Sequence, residues 1–354
     1  MMPWEKNIRK VVPYTPGEQP KCTKLIKLNT NENPYPPSPK VAEALKGLDM
    51  GSLRRYPDPA ASVLVQELAG YYGVSERQVF VGVGSDDVLA MSFLAFFNSG
   101  KPILFPDITY SFYNVWAELF RIPYECPPLD GDFQICTEDY LKDCGGIVIP
   151  NPNAPTGVEK SLGELEEIIA GNPEVIVIID EAYIDFGGES ALSLLPKYEN
   201  LLVVQTFSKS RSLAGMRIGY AIGNEKLIGY LNDVKYSFNS YTMDATALAA
   251  GVEAVRDDTY FKETLQKIIN TRERTKKELR RLGFSFPDSK SNFIFATHSR
   301  CPAEKLFHAL KQAGIYVRYF SKPRISDYLR ISIGTNQEMD ELIRFLEHYL
   351  GEGL

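Results

Sequence analysis

Between residues 79 and 222 the chain alternates short apolar runs with helical stretches. The runs fall at 79–81, 103–105, 147–149, 175–179, 201–204 and 220–222. Each is apolar at successive positions, the pattern of strands buried on both faces. Strands this short, spaced by helical segments, predict a mainly parallel sheet covered by helices on both sides. In such open sheets ligands bind beyond the carboxyl ends of the strands. The polar residues that follow the runs therefore converge: Gly84-Ser-Asp-Asp87, Asp107-Ile-Thr-Tyr110, Asn151-Pro-Asn-Ala-Pro-Thr-Gly157, Asp180-Glu-Ala-Tyr183 and Ser208-Lys209.

On the N-terminal side, residues 1–35 are irregular and rich in proline and asparagine, with one short apolar piece at 25–28. Asn29-Thr-Asn-Glu-Asn-Pro-Tyr-Pro-Pro37 holds too many turn formers for helix or strand, and reads equally as a rigid arm or a connector. Helices are predicted over 39–48 and 60–73, the second with Leu64, Leu68 and Tyr72 on one stripe. Past Leu227 the pattern changes. A long helical region is predicted over 242–282, with Phe261, Leu265, Ile268, Thr275, Leu279 and Leu282 near helical spacing and the charged run Arg272 to Arg281 as its solvated face. Strands at 291–296, 315–320 and 329–333 and helices at 302–313 and 337–350 complete a smaller α+β unit. The expected division is an N-terminal arm with part of the small domain (1–50), a large domain (51–240) and a C-terminal small domain (241–354).

Composition narrows the function classes. The 354 residues suit two domains, or one large domain with a lid, and 44% hydrophobic with 24% charged residues is ordinary for a soluble globular protein. The net charge of −6 disfavours a nucleic-acid or anionic-membrane surface. No run approaches a membrane span, and the first residues lack the apolar core of a signal peptide. Cys22, Cys126, Cys136, Cys144 and Cys301 form no Cys-x-x-Cys pair and read as reduced thiols of a cytoplasmic protein. His308 and His348 lie in helical patterns, and no metal site is expected.

Three places carry candidate chemistry. At 206–219, a strand end breaks into hydroxyls, Lys209, two arginines and two glycines. A lysine held near other cations or in a dry pocket loses its charge more easily and becomes a nucleophile; a solvated surface lysine is the other reading. Asp180 ends an apolar strand, where a charge is expensive unless paired. A pyridinium N–H is one suitable partner, with Tyr183 in reach of a phenolic oxygen on the same ring; a carboxylate capping the next turn is the other reading. Gly82-Val-Gly-Ser-Asp-Asp87 suits an anion-binding helix start or an ordinary Asp-capped turn. It is neither a P-loop nor a dinucleotide turn.

With Asp180, Lys209 and Arg217 eight residues beyond the lysine, the chain resembles the fold-type I, class II pyridoxal-phosphate aminotransferases over essentially its whole length. Leu28-Asn-Thr-Asn-Glu, Arg55-Tyr-Pro-Asp, Ser-Leu-Ala-Gly-Met-Arg-Ile-Gly219 and Arg330-Ile-Ser-Ile-Gly334 point within the family to histidine biosynthesis. The resemblance implies an amino-group transfer from L-glutamate to imidazole acetol phosphate, giving histidinol phosphate and 2-oxoglutarate. Aromatic amino-acid transamination, phosphothreonine-type decarboxylation and non-enzymatic ligand sensing are the alternatives. It implies that Lys209 carries pyridoxal 5'-phosphate as a Schiff base and shuttles a proton. Asp180 would pair with the ring nitrogen, Tyr183 with the ring hydroxyl, and Tyr110 would stack on the ring. The backbone around Gly84, Ser85 and Asp86, with Ser208 and Arg217, would hold the cofactor phosphate. Tyr56 would reach the neighbouring subunit's cofactor in a homodimer with shared sites. Arg330 would grip the donor's α-carboxylate, and Tyr14 and Arg318 the substrate phosphate. One position departs from the family pattern. Ala154 stands where an asparagine usually meets the ring hydroxyl, leaving Asn153 or Asn151 through a shifted loop, or Tyr183 alone.

Overall fold

The apolar runs become strands in the computed structural model, which describes residues 2–20 and 25–352; Cys22 lies outside them. After β1 (Ile26–Lys27), seven strands form one sheet: β2 (Val79–Gly82), β3 (Ile103–Leu104), β4 (Tyr124–Glu125), β5 (Gly146–Pro150), β6 (Val177–Asp180), β7 (Leu201–Thr206) and β8 (Gly219–Gly223). Their order is β2-β8-β7-β6-β5-β3-β4. From β7 to β4 all neighbours run parallel, whereas β8 is antiparallel to both β7 and β2. The connection 207–218 contains only a short 3-10 turn, Ala214–Met216. A parallel return ordinarily crosses the sheet face through a helix, and this segment forms no α-helix, so β8 comes back the other way.

Alternate residues of the central strands enter different cores, as a pleated strand requires. Ile147, Ile149, Val177, Ile179, Leu201 and Val203 face one side. Val148, Ile178, Leu202 and Val204 face the other. The helices that precede the C-terminal strands are α1 (Pro39–Lys46), α2 (Ser62–Tyr72), α3 (Ser85–Phe96), α4 (Phe112–Phe120), α5 (Leu162–Gly171), α6 (Glu225–Phe238), α7 (Ala245–Arg256) and α8 (Asp258–Arg281). Although α7 follows residue 240, its Ala247, Ala250 and Val255 join Leu64, Leu68, Val79 and Tyr220 in the core beside β2 and β8.

The C-terminal unit has its own core, in which Leu28 joins Ile268, Leu279, Phe293's neighbour Ile294, Leu306, Ile331 and Leu342. It is built from β9 (Phe284–Ser285), β10 (Phe293–His298), β11 (Ile315–Tyr316), β12 (Arg318–Tyr319) and β13 (Leu329–Ser332), with α9 (Ala303–Gln312) and α10 (Asn336–Glu352). Four of these strands form an antiparallel sheet ordered β12-β13-β10-β9. β11 instead takes β1 as a parallel partner, which ties the N-terminal segment to this unit.

Three local expectations change. The run 315–320 is two short strands in different sheets, β11 beside β1 and β12 beside β13. The region 242–282 is two helices, divided at Asp257, whose carboxylate accepts from the Ser38 hydroxyl and pairs with Lys40 at 3.4 Å. The run Arg272 to Arg281 is also not uniformly solvated. Arg272 and Lys276 are buried, one helical turn apart on the stripe of Ile268 and Leu279. Arg272 donates to the carbonyls of Phe186 and Ser291, both at 2.8 Å. Lys276 meets Asp288 at 2.8 Å, Glu273 at 2.9 Å and the Ser289 carbonyl at 3.0 Å. Backbone acceptors left over by irregular chain draw these cations inward, because a buried carbonyl without a donor is costly.

Candidate active site

The parallel register sets Pro150 beside Asp180 and Asp180 beside Val204, so the carboxyl ends of β5, β6 and β7 open together. The cleft beyond them is lined by Ser85, Asp86, Tyr110, Ala154, Asp180, Tyr183, Ser208, Lys209 and Arg217. An adjoining hollow adds Tyr14, Arg318 and Arg330.

Asp180 forms the floor. One carboxylate oxygen accepts from the Tyr113 hydroxyl at 2.6 Å, the other from the Ala182 N–H at 3.2 Å. Burial pushes its carboxyl up to about 6, against the lowering pull of Tyr113. Tyr113 is fully buried on α4 and was not among the candidate residues; its place one turn beyond Tyr110, at a helix start, is the only local sign of it. Between about pH 4 and pH 6 the folded apoprotein therefore holds a proton that the unfolded chain has released. Its stability should fall by roughly 3 kcal/mol as pH rises through that window. Thermal unfolding of cofactor-free protein should show Asp180→Asn losing less over this window than the parent; equal losses would remove Asp180 as the cause.

At one end, α3 starts against the backbone of β8. Gly84 has φ +85°, and a Cβ there would lie 2.5 Å from Arg217 Nη2, while a Cβ on Gly219 would lie 2.2 Å from Ser85 N. Only glycine permits this close approach. The resulting cradle holds the free amides of a helix start. Arg217 meets Asp86 at 3.3 Å and the Ser208 hydroxyl at 3.4 Å, and Tyr110 donates to the other Asp86 oxygen at 2.7 Å.

Lys209 projects between these ends. Its Nζ donates to the Thr30 carbonyl at 3.3 Å and lies 5.8 Å from the Tyr183 ring centre. The loop behind it is clamped by Asn33 Nδ2, which donates to the carbonyls of Lys209 and Ser210 at 3.2 and 3.0 Å. The asparagine-rich segment 29–37 is thus an arm laid on the lysine loop.

Arg318 and Arg330 are direct partners on adjacent antiparallel strands, an arrangement that costs stability when like charges stand alone. Among the described residues neither pairs with a carboxylate. Arg330 donates to the Asn29 carbonyl at 3.0 Å, but its Nε is buried with no acceptor. Burial, and then Arg318, pull the Arg330 guanidinium below its ordinary value. An anion held between the two arginines would relieve both defects. Tyr14 closes the hollow, stacked on Phe112 at 4.2 Å.

Two predicted residues stand elsewhere. Asn153 is buried in its own loop: Nδ2 donates to the Ile108 carbonyl and to Thr156, and Oδ1 accepts from Thr109. Asn151 likewise spends its amide on both backbone groups of Lys160. Neither lines the cleft, whereas Ala154 does. Tyr56 is 81% exposed and stacks on Tyr241 at 4.6 Å, away from its own chain's cleft.

Residues 23–346 match the family model for aminotransferase class I and II. A histidinol-phosphate aminotransferase of Lactococcus lactis subsp. cremoris (strain MG1363) is 54% identical over 349 residues, covering 99% of this chain and 98% of the relative. One of Clostridium beijerinckii is 52% identical, covering 98% and 97%. The crystal structure of histidinol-phosphate aminotransferase from Sinorhizobium meliloti in complex with pyridoxal-5'-phosphate superimposes with a TM-score of 0.84 at 25% identity, covering 93% of this chain and 92% of that one.

Proposed function

Because the chain belongs to the aminotransferase class I and II family, we propose that it transfers the amino group between L-glutamate and imidazole acetol phosphate, yielding histidinol phosphate and 2-oxoglutarate in histidine biosynthesis. The paired, carboxylate-free arginines Arg318 and Arg330 carry this reading. They suit one position that takes a carboxylate in one half-reaction and a phosphate monoester in the other.

The residues present fit pyridoxal 5'-phosphate. The glycine cradle with Ser208 and Arg217 suits a phosphate, the buried Asp180 carboxylate suits a cationic ring nitrogen, and Lys209 is the amine within the same cleft. When bound, that cofactor supplies an electron sink for the pair left behind as the substrate α-proton departs. Lys209 takes and returns that proton. Asp180, held by Tyr113 and the Ala182 N–H, would offer a negative charge to the ring nitrogen. Ser208, Arg217 and the amides of Ser85 and Asp86 would anchor the phosphate, and Tyr110 would lie against the ring. Arg330 orients the amino donor through its α-carboxylate; Arg318 and Tyr14 hold the substrate phosphate. The arm 29–37 and Tyr14 limit access of water.

Tyr56, Met50, Leu53, Phe238 and Tyr241 are all large, apolar in part and exposed, which supports a homodimer in which Tyr56 reaches the partner's site. No helix among the described residues is long and apolar enough to cross a membrane. The free cysteines Cys126, Cys136, Cys144 and Cys301 support a reducing, cytoplasmic setting.

Steady-state kinetics with 2-oxoglutarate test substrate choice. Histidinol phosphate should show the higher kcat/KM against phenylalanine; the reverse order would overturn the substrate assignment. Arg318→Ala should lower kcat/KM for histidinol phosphate by about 10-fold to 100-fold with a smaller effect on phenylalanine. Equal losses would remove Arg318 from the phosphate site.

A further inference from the structure

Tyr183 faces the cleft with its hydroxyl already engaged as an acceptor. Asn31 Nδ2 donates to it at 2.9 Å. Asn31 is itself buried, with a left-handed φ of +57°. Its backbone N–H donates to Ser332 Oγ, its side-chain oxygen accepts from the same hydroxyl, and its carbonyl accepts from Asn292 Nδ2, all at 2.9 Å. With Oδ1 on the serine, the amide hydrogens point at Tyr183. A phenol has one proton, and among the described residues no protein acceptor takes it from Tyr183. The remaining direction is the cleft. There Ala154 offers no donor, and the amides of Asn151 and Asn153 are spent on backbone and loop groups.

We propose that Asn31 is a positioning residue that aims the Tyr183 hydroxyl proton into the cleft, making Tyr183 the one side-chain donor to the phenolic oxygen of the cofactor. The inference rests on the transaminase reading above. An oxygen that accepts one hydrogen bond donates a stronger one, so Asn31 also strengthens what Tyr183 gives. A donor on the phenolic oxygen stabilises negative charge there and makes the neighbouring nitrogen less basic. The visible absorption band of the loaded protein should then change at a lower pH than it would without that donor.

Spectrophotometric pH titration of the loaded protein tests this, with Asn31→Gly, Asn31→Asp, Tyr183→Phe and the Asn31→Gly/Tyr183→Phe pair. Glycine keeps the positive φ without a steric penalty; aspartate keeps the shape but offers an acceptor that turns the phenolic proton away. Tyr183→Phe should raise the midpoint. Asn31→Gly should raise it by about half a pH unit, the scale of one hydrogen bond, and Asn31→Asp by at least as much. In the double variant the midpoint should equal that of Tyr183→Phe alone. A midpoint unchanged in Asn31→Gly, with only the melting temperature lowered, would overturn the role, as would a shift that adds fully to that of Tyr183→Phe. Parent protein without a visible band at saturating pyridoxal phosphate would overturn the transaminase reading and the inference with it.

Discussion

Lys209→Ala is expected to lower transamination by at least about 10^4-fold, since on the proposed function it would remove both the nucleophilic amine and the proton carrier. The geometry explains why no neighbour replaces it. Lys209 is the lysine lining the cleft, its amine is hydrogen-bonded to the Thr30 carbonyl with the Glu32 and Asp180 carboxylates within electrostatic reach, and Asn33 clamps its loop. Arg211, the next cation along the chain, is buried against Phe261 at 4.0 Å and bonded to the Ala254 carbonyl. The visible band formed with pyridoxal phosphate should shift away from that of the parent as well. Activity within 10-fold of the parent would end the assignment of Lys209. Mixing Lys209→Ala with Tyr56→Ala adds a test of the shared site. A mixed dimer would hold one site with both residues intact, so refolding the two together should restore activity that neither shows alone. No recovery from a folded mixed dimer would remove Tyr56 from the partner's site.

The second large effect is expected at Arg330. Arg330→Ala should reduce kcat/KM for glutamate by roughly 10^2-fold to 10^3-fold, as loss of a charged, two-pronged hydrogen bond does. Arg330→Lys should recover little of it. Lysine supplies a point charge in place of a planar fork, and one ammonium cannot serve the Asn29 carbonyl and a carboxylate with the same geometry. The damage should appear mainly in KM for glutamate if the contact is equally strong in ground and transition states. Removing one of two facing arginines relieves repulsion but leaves the buried Asn29 carbonyl without its donor, so the cofactor-free variant should melt close to the parent. A large fall in its melting temperature with KM unchanged would make Arg330 structural instead.

The arrangement of charge in the site has a common logic. Asp180 is buried and pushed toward neutrality, and Arg330 is pulled toward it from the other side of the pH scale. Each is held by neutral groups, Tyr113 for the first and the Asn29 carbonyl for the second. Neutral partners orient a charge without cancelling it, which leaves both able to gain from an oppositely charged ligand.

Much of this was legible along the chain. Runs such as 201–204 and 175–179 are apolar at successive positions because both faces of the sheet are covered, and that property survives in one dimension. Asp180 and Lys209 follow directly from those runs, since the residue after a buried strand must stand at its end. The connection 207–218 was legible only in its chemistry; that it folds without a crossover helix, and so returns β8 in the opposite direction, was settled by the fold. Arg272 and Lys276 misled for a related reason: charge predicts exposure unless acceptors elsewhere in the fold need a donor, here the Phe186 and Ser291 carbonyls for Arg272 and Asp288 with the Ser289 carbonyl for Lys276.

Local sequence determined the strands of the central sheet, the lysine and carboxylate at their ends, and the glycines that let α3 approach β8, because each depends on burial or backbone freedom at one position. Tertiary structure alone decided the partners. Tyr113 meets Asp180 across 67 residues, Asn33 clamps Lys209 across 176, and Asn31 meets both Tyr183 and Ser332 across 152 and 301. Hydrogen bonds are directional and short in range, so their pairings exist only once the fold has brought the two ends together.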